Sequence, residues 1–183
     1  PLADQSVDMV FSNAAIQWCN DLPAAFQEFM RVLKPNGLLM FSSFGPDTLK
    51  ELRAAWAEVD DETHTSDFVD MHDIGDILVQ SQYADPVMDA ENLTLTYETV
   101  NGLVRDLKSL GAHNAMQKRN RGMMGKSRWQ NMVQAYEQFR IDGRLPATYE
   151  VVYGHSWRPE NLQLQTVNDN GEVFVPVDLV GRQ

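Results

Sequence analysis

Apolar positions along this chain change period several times, and each change marks an element. Val7, Met9, Val10 and Phe11 form a short apolar run that halts at Ser12-Asn13. Such a run predicts a strand buried on both faces of a parallel sheet. Leu22, Ala25, Phe26, Phe29 and Leu33 then recur at the spacing of one helical face. Asp21 is placed to cap that helix, and Pro23 fits its first turn, where N–H groups lack intrahelical partners. Pro35 and Gly37 end it, and residues 38–41 supply a second apolar strand. A strand–helix–strand unit of this length predicts a right-handed crossover between parallel strands, with ligands bound beyond their carboxyl ends. Those ends carry Ser12-Asn13-Ala14-Ala15, Gln17-Trp18 and Ser42-Ser43-Phe44.

Further on, Gly45-Pro46-Asp47 opens a helix with Leu49, Leu52, Trp56 and Val59 on one face and Lys50, Glu51 and Arg53 at other angles. Met71, Ile74, Leu78 and Val79 predict a short helix capped by Asp70, with Asp73 in its first turn, ending near Gln82-Tyr83. Leu93, Leu95 and Tyr97 alternate with Thr94 and Thr96 as a half-buried strand. Two helices follow, one on Val100, Leu103, Val104, Leu107 and Leu110, the other on Trp129, Met132, Val133, Tyr136 and Phe139 with Ser127 as cap. The glycine-rich basic link between them, residues 119–125, reads as a mobile lid. Tyr149, Val151, Tyr153, His155 and Trp157 alternate as another strand. Residues 162–167 and 172–177 predict a hairpin that either lengthens the sheet or pairs with another subunit.

Charge narrows the chemistry. Fifteen Lys and Arg face 26 Asp and Glu, a net charge of −11, which argues against a nucleic-acid binder. Seven of those fifteen cations lie between Arg105 and Arg128, opposed there only by Asp106. Such an island either steers a small acidic partner or is a solvated helical surface. No apolar stretch approaches the length of a membrane span. The single Cys19 excludes an internal disulfide, fits a reducing cytoplasm and reads as a buried, inert thiol. His64, Asp67, Asp70, His72, Asp73 and Asp76 gather metal-ligand types, but at spacings that match no zinc or calcium signature, so no metal is predicted. Asn13 either caps a turn or meets a ligand, Trp18 is core or site, and His155 faces a pocket or is a satisfied strand histidine.

The words VDMVFSNAAIQWCNDLPAAFQEFMRVLKPNGLLMFSSF, FGPDTLKELRAAW, DMHDIGDILV, LVRDLKSLGAHNA and LPATYEVVYGHSW resemble class I S-adenosylmethionine-dependent methyltransferases. They are most similar to the malonyl-acyl-carrier-protein O-methyltransferases of biotin synthesis. The Gln17-Trp18-Cys19 and Arg31-Val32-Leu33-Lys34-Pro35 words are fairly specific to that methyltransferase branch, and residues 94–157 to the malonyl-carrier enzymes. The resemblance implies an α/β, Rossmann-like sheet over residues 1–159, containing the fourth to seventh strands with the last antiparallel. It also implies a helical insertion at about 100–145, and it leaves residues 160–183 as a hairpin extension. No glycine-rich cofactor loop occurs, and Pro1-Leu2-Ala3-Asp4 resembles words that precede the fourth strand in the family. The expectation is therefore a part lacking roughly the first hundred residues of a doubly wound domain, inactive by itself.

The same resemblance implies S-adenosylmethionine as cofactor, its methionine end held by Ser12, Asn13 and Ala14. Trp18, Ser42, Ser43 and Tyr97 would line the acceptor site, with Arg53 and His155 holding a carboxyl or carbonyl oxygen. Some members have Asn-Arg-Phe where this chain has Ser66-Asp67-Phe68, so Asp67 stands where an arginine could meet the acceptor's carboxylate. Lys118, Arg119, Arg121, Lys126 and Arg128 would dock malonyl-loaded acyl carrier protein. A carboxylate is already ionised at neutral pH, so the transfer requires alignment and exclusion of water rather than a general base. Two alternatives stay open: a small-carboxylic-acid methyltransferase of the trans-aconitate type, and a non-catalytic binding module with this fold.

Overall fold

In the computed structural model, which describes residues 2–62, 64–109, 125–161, 166–167 and 173–174, the first apolar run forms strand β1 (Val7–Ser12). Helix α1 (Leu22–Val32) carries the expected cap: the Asp21 carboxylate accepts from the Ala24 amide at 2.9 Å, and Pro23 sits in the first turn. Strand β2 (Leu33–Phe44) starts directly at the helix end, where the sequence predicts a turn at Pro35 and Gly37. Those residues instead bulge within the strand. Val7 pairs with Leu33 but Met9 with Leu38, and Asn36 takes φ 62°. The bulge is pinned by backbone bonds of 2.9 Å from Asn36 to the Arg158 carbonyl and from Arg158 to the Gly37 carbonyl. A side chain at 37 would put Cβ 2.8 Å from the Lys34 carbonyl oxygen, so only glycine passes there.

Strands β3 (Ala84–Tyr97) and β4 (Leu145–Trp157) complete a sheet of order β1-β2-β4-β3. β1 and β2 are parallel, and β4 runs antiparallel to both of its neighbours. β4 is antiparallel, as the resemblance implies, and is slotted between the two earlier strands β2 and β3. Helices α1 and α3 (Met71–Gln80) cover one face, burying Phe26, Leu39, Phe41, Ile74, Leu78 and Val152 together. Tyr83 secures this layer by donating to the Phe26 carbonyl at 2.9 Å. Helices α2 (Lys50–Ala57), α4 (Val100–Ser109) and α5 (Lys126–Tyr136) form a second core with the start of β4, centred on Leu52, Trp56, Leu103, Met132, Tyr136 and Ala147. The α4–α5 pair is the helical segment between β3 and β4 that the sequence marks.

Several expectations are corrected. β1 is an edge strand packed on one face only: Val7 and Val10 meet the core, while Met9 is 46% and Phe11 64% exposed. Register places Phe11 beside Met40 and Met40 beside His155, so an apolar face with Val87, Tyr153 and Trp157 stands open on the side away from α1 and α3. β3 begins nine residues before Leu93, and Leu93 and Leu95 are exposed along the other edge. Val79 points outward, one step round α3 from Leu78. Ser127 lies inside α5, whose N-cap is Gly125 without a side-chain bond. Cys19 is exposed just past the 3-10 turn Ile16–Trp18, whose first residue, Ile16, takes the inward position. Of the predicted hairpin, β5 (Thr166–Val167) and β6 (Val173–Phe174) pair antiparallel in a sheet of their own. Its remaining residues, Leu110 and most of the basic link lie outside the described residues. Among the described residues no helix is long and apolar enough to cross a membrane.

Candidate functional site

The carboxyl ends of β1 and β2 are laced together by short polar side chains. Ser42 donates its hydroxyl to Asn13 Oδ1 at 2.7 Å and accepts from the Ala14 amide at 3.0 Å. Ala14 is held at φ 46°, where a side chain other than glycine is uncommon. Gln17 Nε2 donates to the Ala14 carbonyl at 2.6 Å, and its Oε1 is buried with no hydrogen-bond partner. The structure joins Asn13 and Ala14, read from sequence as cofactor residues, to Ser42, read as an acceptor residue, and Gln17, named at the same strand ends without a role, is tied to them through the Ala14 carbonyl. A buried acceptor without a donor carries a desolvation penalty. Beside it Ser43, Gln17, Cys19, Asp67 and Phe68 line a narrow cleft of about 30 Å³. Trp18 is 43% exposed on the turn outside, so it is not core.

The other residues singled out from the sequence divide between two places. His155 stands on the open face of the sheet, its ring edge-on to Trp157 at 5.1 Å. There it lines a cavity of about 450 Å³ with Asn13, Ser42, Met40, Phe11 and Tyr153. Tyr97 pairs with Leu145, ten residues along β4 from His155 and hence about 30 Å of strand away. It is half-buried in the second core beside Tyr149. Burial raises the pKa of both phenols, with the Tyr97–Tyr149 hydrogen bond lowering Tyr97 and raising Tyr149. Arg53 donates to the Thr48 carbonyl at 2.7 Å and to the Pro46 carbonyl, holding the turn that starts α2. Its outer edge borders a hollow of about 300 Å³ with Trp56, Asp60, His64 and Asp67.

Of the basic residues, Lys118, Arg119 and Arg121 lie outside the described residues. Lys126 is exposed at the start of α5. Arg128 is not a free cation: it binds Asp60 through Nε at 3.1 Å and through Nη2, and Nη2 is 3.1 Å from Glu62. Asp60 also takes His64 Nε2 at 2.7 Å. Burial by itself raises the Asp60 pKa. Hydrogen bonds from Arg128, His64 and the Glu62 amide outweigh it and bring the group down from 3.8 to about 2. His72 sits instead at 2.8 Å from Asp70, on the exposed start of α3.

Two carboxylates had no role from sequence, the buried Glu51 and the half-buried Glu150. Glu51 accepts from the Thr148 amide at 3.0 Å and hydroxyl, tying α2 to β4. Glu150 accepts from the Asp47 amide at 2.7 Å, and a Cβ on Gly45 would come within 2.3 Å of that carboxylate. Gly45 beside a proline was the available signal for that close approach.

The Methyltransferase domain family matches residues 1–41. A malonyl-[acyl-carrier protein] O-methyltransferase of Gallionella capsiferriformans is 62% identical over 159 residues, 87% of this chain and 55% of the relative. Proteins of the same name are 54% identical in Laribacter hongkongensis, over 95% of this chain and 59% of the relative, and 51% identical in Coxiella burnetii, over 100% and 64%. By sequence the chain is a homologue of these methyltransferases. It spans little more than half to just under two thirds of their length. Among solved structures, a putative methyltransferase of Bacillus halodurans superposes with TM-score 0.54 at 13% identity, covering 87% of this chain and 67% of that one. The YcgJ protein of Bacillus subtilis gives TM-score 0.54 at 13% identity, over 88% and 68%. The fold is that of class I methyltransferases.

Proposed function

We propose that the protein is an S-adenosylmethionine-dependent carboxyl O-methyltransferase acting on the free carboxylate of malonyl-acyl carrier protein in early biotin synthesis, a cytoplasmic reaction. The observation that carries this reading is identity of 51% or more, over 87% or more of the chain, to three relatives of that name. S-adenosylmethionine, when bound, supplies the electrophilic methyl sulfonium. We assign Asn13 and Ala14, with Gln17 bound to the Ala14 carbonyl, to its methionine end. Ser42 fixes Asn13 and Ala14 in place. Ser43 and Phe68 exclude water at the neighbouring cleft, and Phe68 is itself braced edge-on by Phe44 at 5.8 Å.

The acceptor carboxylate carries its charge at neutral pH, so these residues need only orient it and keep water away. The separation of Tyr97 from His155 favours assigning the acceptor to one of their two neighbourhoods, not to both. The Ser42–Ser43 end, shared with Asn13, is the one we assign. Lys126, together with Lys118, Arg119 and Arg121, is offered as the docking surface for the acidic carrier, and Arg128 is withdrawn from that set because its charge is compensated inside the chain.

The test uses the protein as its gene encodes it, methyl-labelled S-adenosylmethionine, and malonyl-carrier protein, free malonate and aconitate as acceptors. Label on the carrier-bound malonyl group, reduced by charge reversal at Lys118, Arg119 and Arg121, is the expected result. Label on free acids alone moves the protein to the small-acid reading, and no label on any acceptor from a folded protein removes the enzymatic reading.

A further inference from the structure

One polar cluster lies beyond the residues so far given a chemical task. Asp60, Glu62 and His64 follow α2, and their ligand-type atoms lie within 4.8 Å of one another. The guanidinium of Arg128, reaching across from α5, already stands in the place a cation would take. Its planar fork meets Asp60 with two nitrogens, a geometry that a lysine ammonium does not reproduce. The cluster is anchored on both sides. The Asp60 amide bonds the Trp56 carbonyl at 3.1 Å. The His64 ring lies flat on Trp56 with centroids 3.8 Å apart, and Trp56 meets Trp129, the neighbour of Arg128, at 6.5 Å. A few residues on, Asp67 and Phe68 line the cleft against Ser43 and Gln17. Asp67 also borders the hollow on the cluster's own side. One stretch of chain therefore joins the α5 ion pair to the carboxyl ends of β1 and β2.

We propose that Arg128 is a positioning residue for the acceptor. Through Asp60 it fixes residues 58–62 and 64–68 against α5, so that Asp67 and Phe68 stand in register over Ser43. The kinetic part of this inference rests on the methyltransferase reading, and the structural part does not. Without the guanidinium, the partly buried Asp60 keeps its bonds to His64 and the Glu62 amide but loses the ion pair that ties it to α5, and the stretch moves away from α5. Asp67 and Phe68 line the cleft against Ser43, so their displacement loosens the acceptor's seat and acts on its binding.

The experiment compares Arg128→Ala, Arg128→Lys and the exchanged pair Asp60→Arg with Arg128→Asp, measuring acceptor and cofactor KM, kcat, and amide exchange over residues 58–68. Arg128→Ala is expected to raise the KM for both malonyl-carrier protein and free malonate by about tenfold. The cofactor KM and kcat change little, exchange over 58–68 accelerates, and Arg128→Lys and the exchanged pair each recover part of the loss. A KM rise for the carrier but not for free malonate, with exchange unchanged, overturns the proposal and returns Arg128 to a docking role. Equal losses in kcat and both KM values, accompanied by global unfolding, overturn it as well. If no acceptor is methylated, the functional reading fails separately. Exchange then decides this one: faster exchange confined to 58–68 supports it, and unchanged exchange overturns it.

Discussion

Asp60 keeps its charge where burial works against it, because Arg128, His64 and the Glu62 amide all donate to it. A carboxyl whose folded pKa is depressed adds stability that is fully present above its ordinary value of 3.8 and is lost as pH falls through about 2. Asp60→Asn should therefore lower stability at neutral pH and flatten the acid limb of a plot of Tm against pH. An unchanged acid limb contradicts that role. At this scale the sequence shows caps well, since Asp21 and Asp70 each bond an amide within their own helix start. It hides partners that come from far along the chain. Arg128 and Asp60 are 68 residues apart, and nothing in the local pattern of either marks an ion pair, so Arg128 reads as one more surface cation.

Elements were legible where one face alone is buried. Helices α1 and α3 follow their periods, and the antiparallel direction of β4 follows from the family resemblance. In β4 the alternation is kept, but Val152, Gly154 and Ser156 take the buried side while Tyr153 and Trp157 stand exposed. What escaped were ends and bulges, which depend on pairing across the sheet: β2 runs straight on from α1 through Pro35 and Gly37 because Arg158, just past the end of neighbouring β4, bonds that bulge. Gly154 shows the same dependence more tightly. It lies between Phe41 and Met88 in register, and a Cβ there would come within 2.2 Å of the Phe41 ring and 2.8 Å of the Met88 sulfur. Phe41 is buried against Phe26, with ring centroids 5.4 Å apart, so it has little room to yield. Gly154→Ala should cost about 1–3 kcal/mol, as overpacked cores do, measurable by denaturant unfolding. A loss below a few tenths would show that the ring can move aside.

At the scale of the whole chain, which spans only part of its relatives' length, α1 and α3 cover one face of the sheet. Apolar residues fill both faces of β1, and the set of Met9, Phe11, Met40, Val87 and Trp157 stands exposed on the other face. This 183-residue chain should accordingly bind a hydrophobic dye, and Phe11→Ser with Met40→Ser should reduce that binding at little cost to Tm. Unchanged dye binding would show that the surface is covered in solution.

The site was legible to the extent that it sits in local sequence, at the Ser12–Ala14 and Ser42–Ser43 ends of neighbouring strands. His155 lines a cavity with Asn13 and Ser42, whereas strand register sets Tyr97 far along β4 from it. The central claim is that this site serves transfer of a methyl group to a carrier-bound malonyl carboxylate. Its most direct measurement is kcat/KM for malonyl-acyl carrier protein against free malonate, with S-adenosylmethionine as donor and the protein as its gene encodes it. A value far higher for the carrier-bound substrate, with the methyl group found on its free carboxylate, is the predicted result. Equal or higher values for the free acid would contradict it.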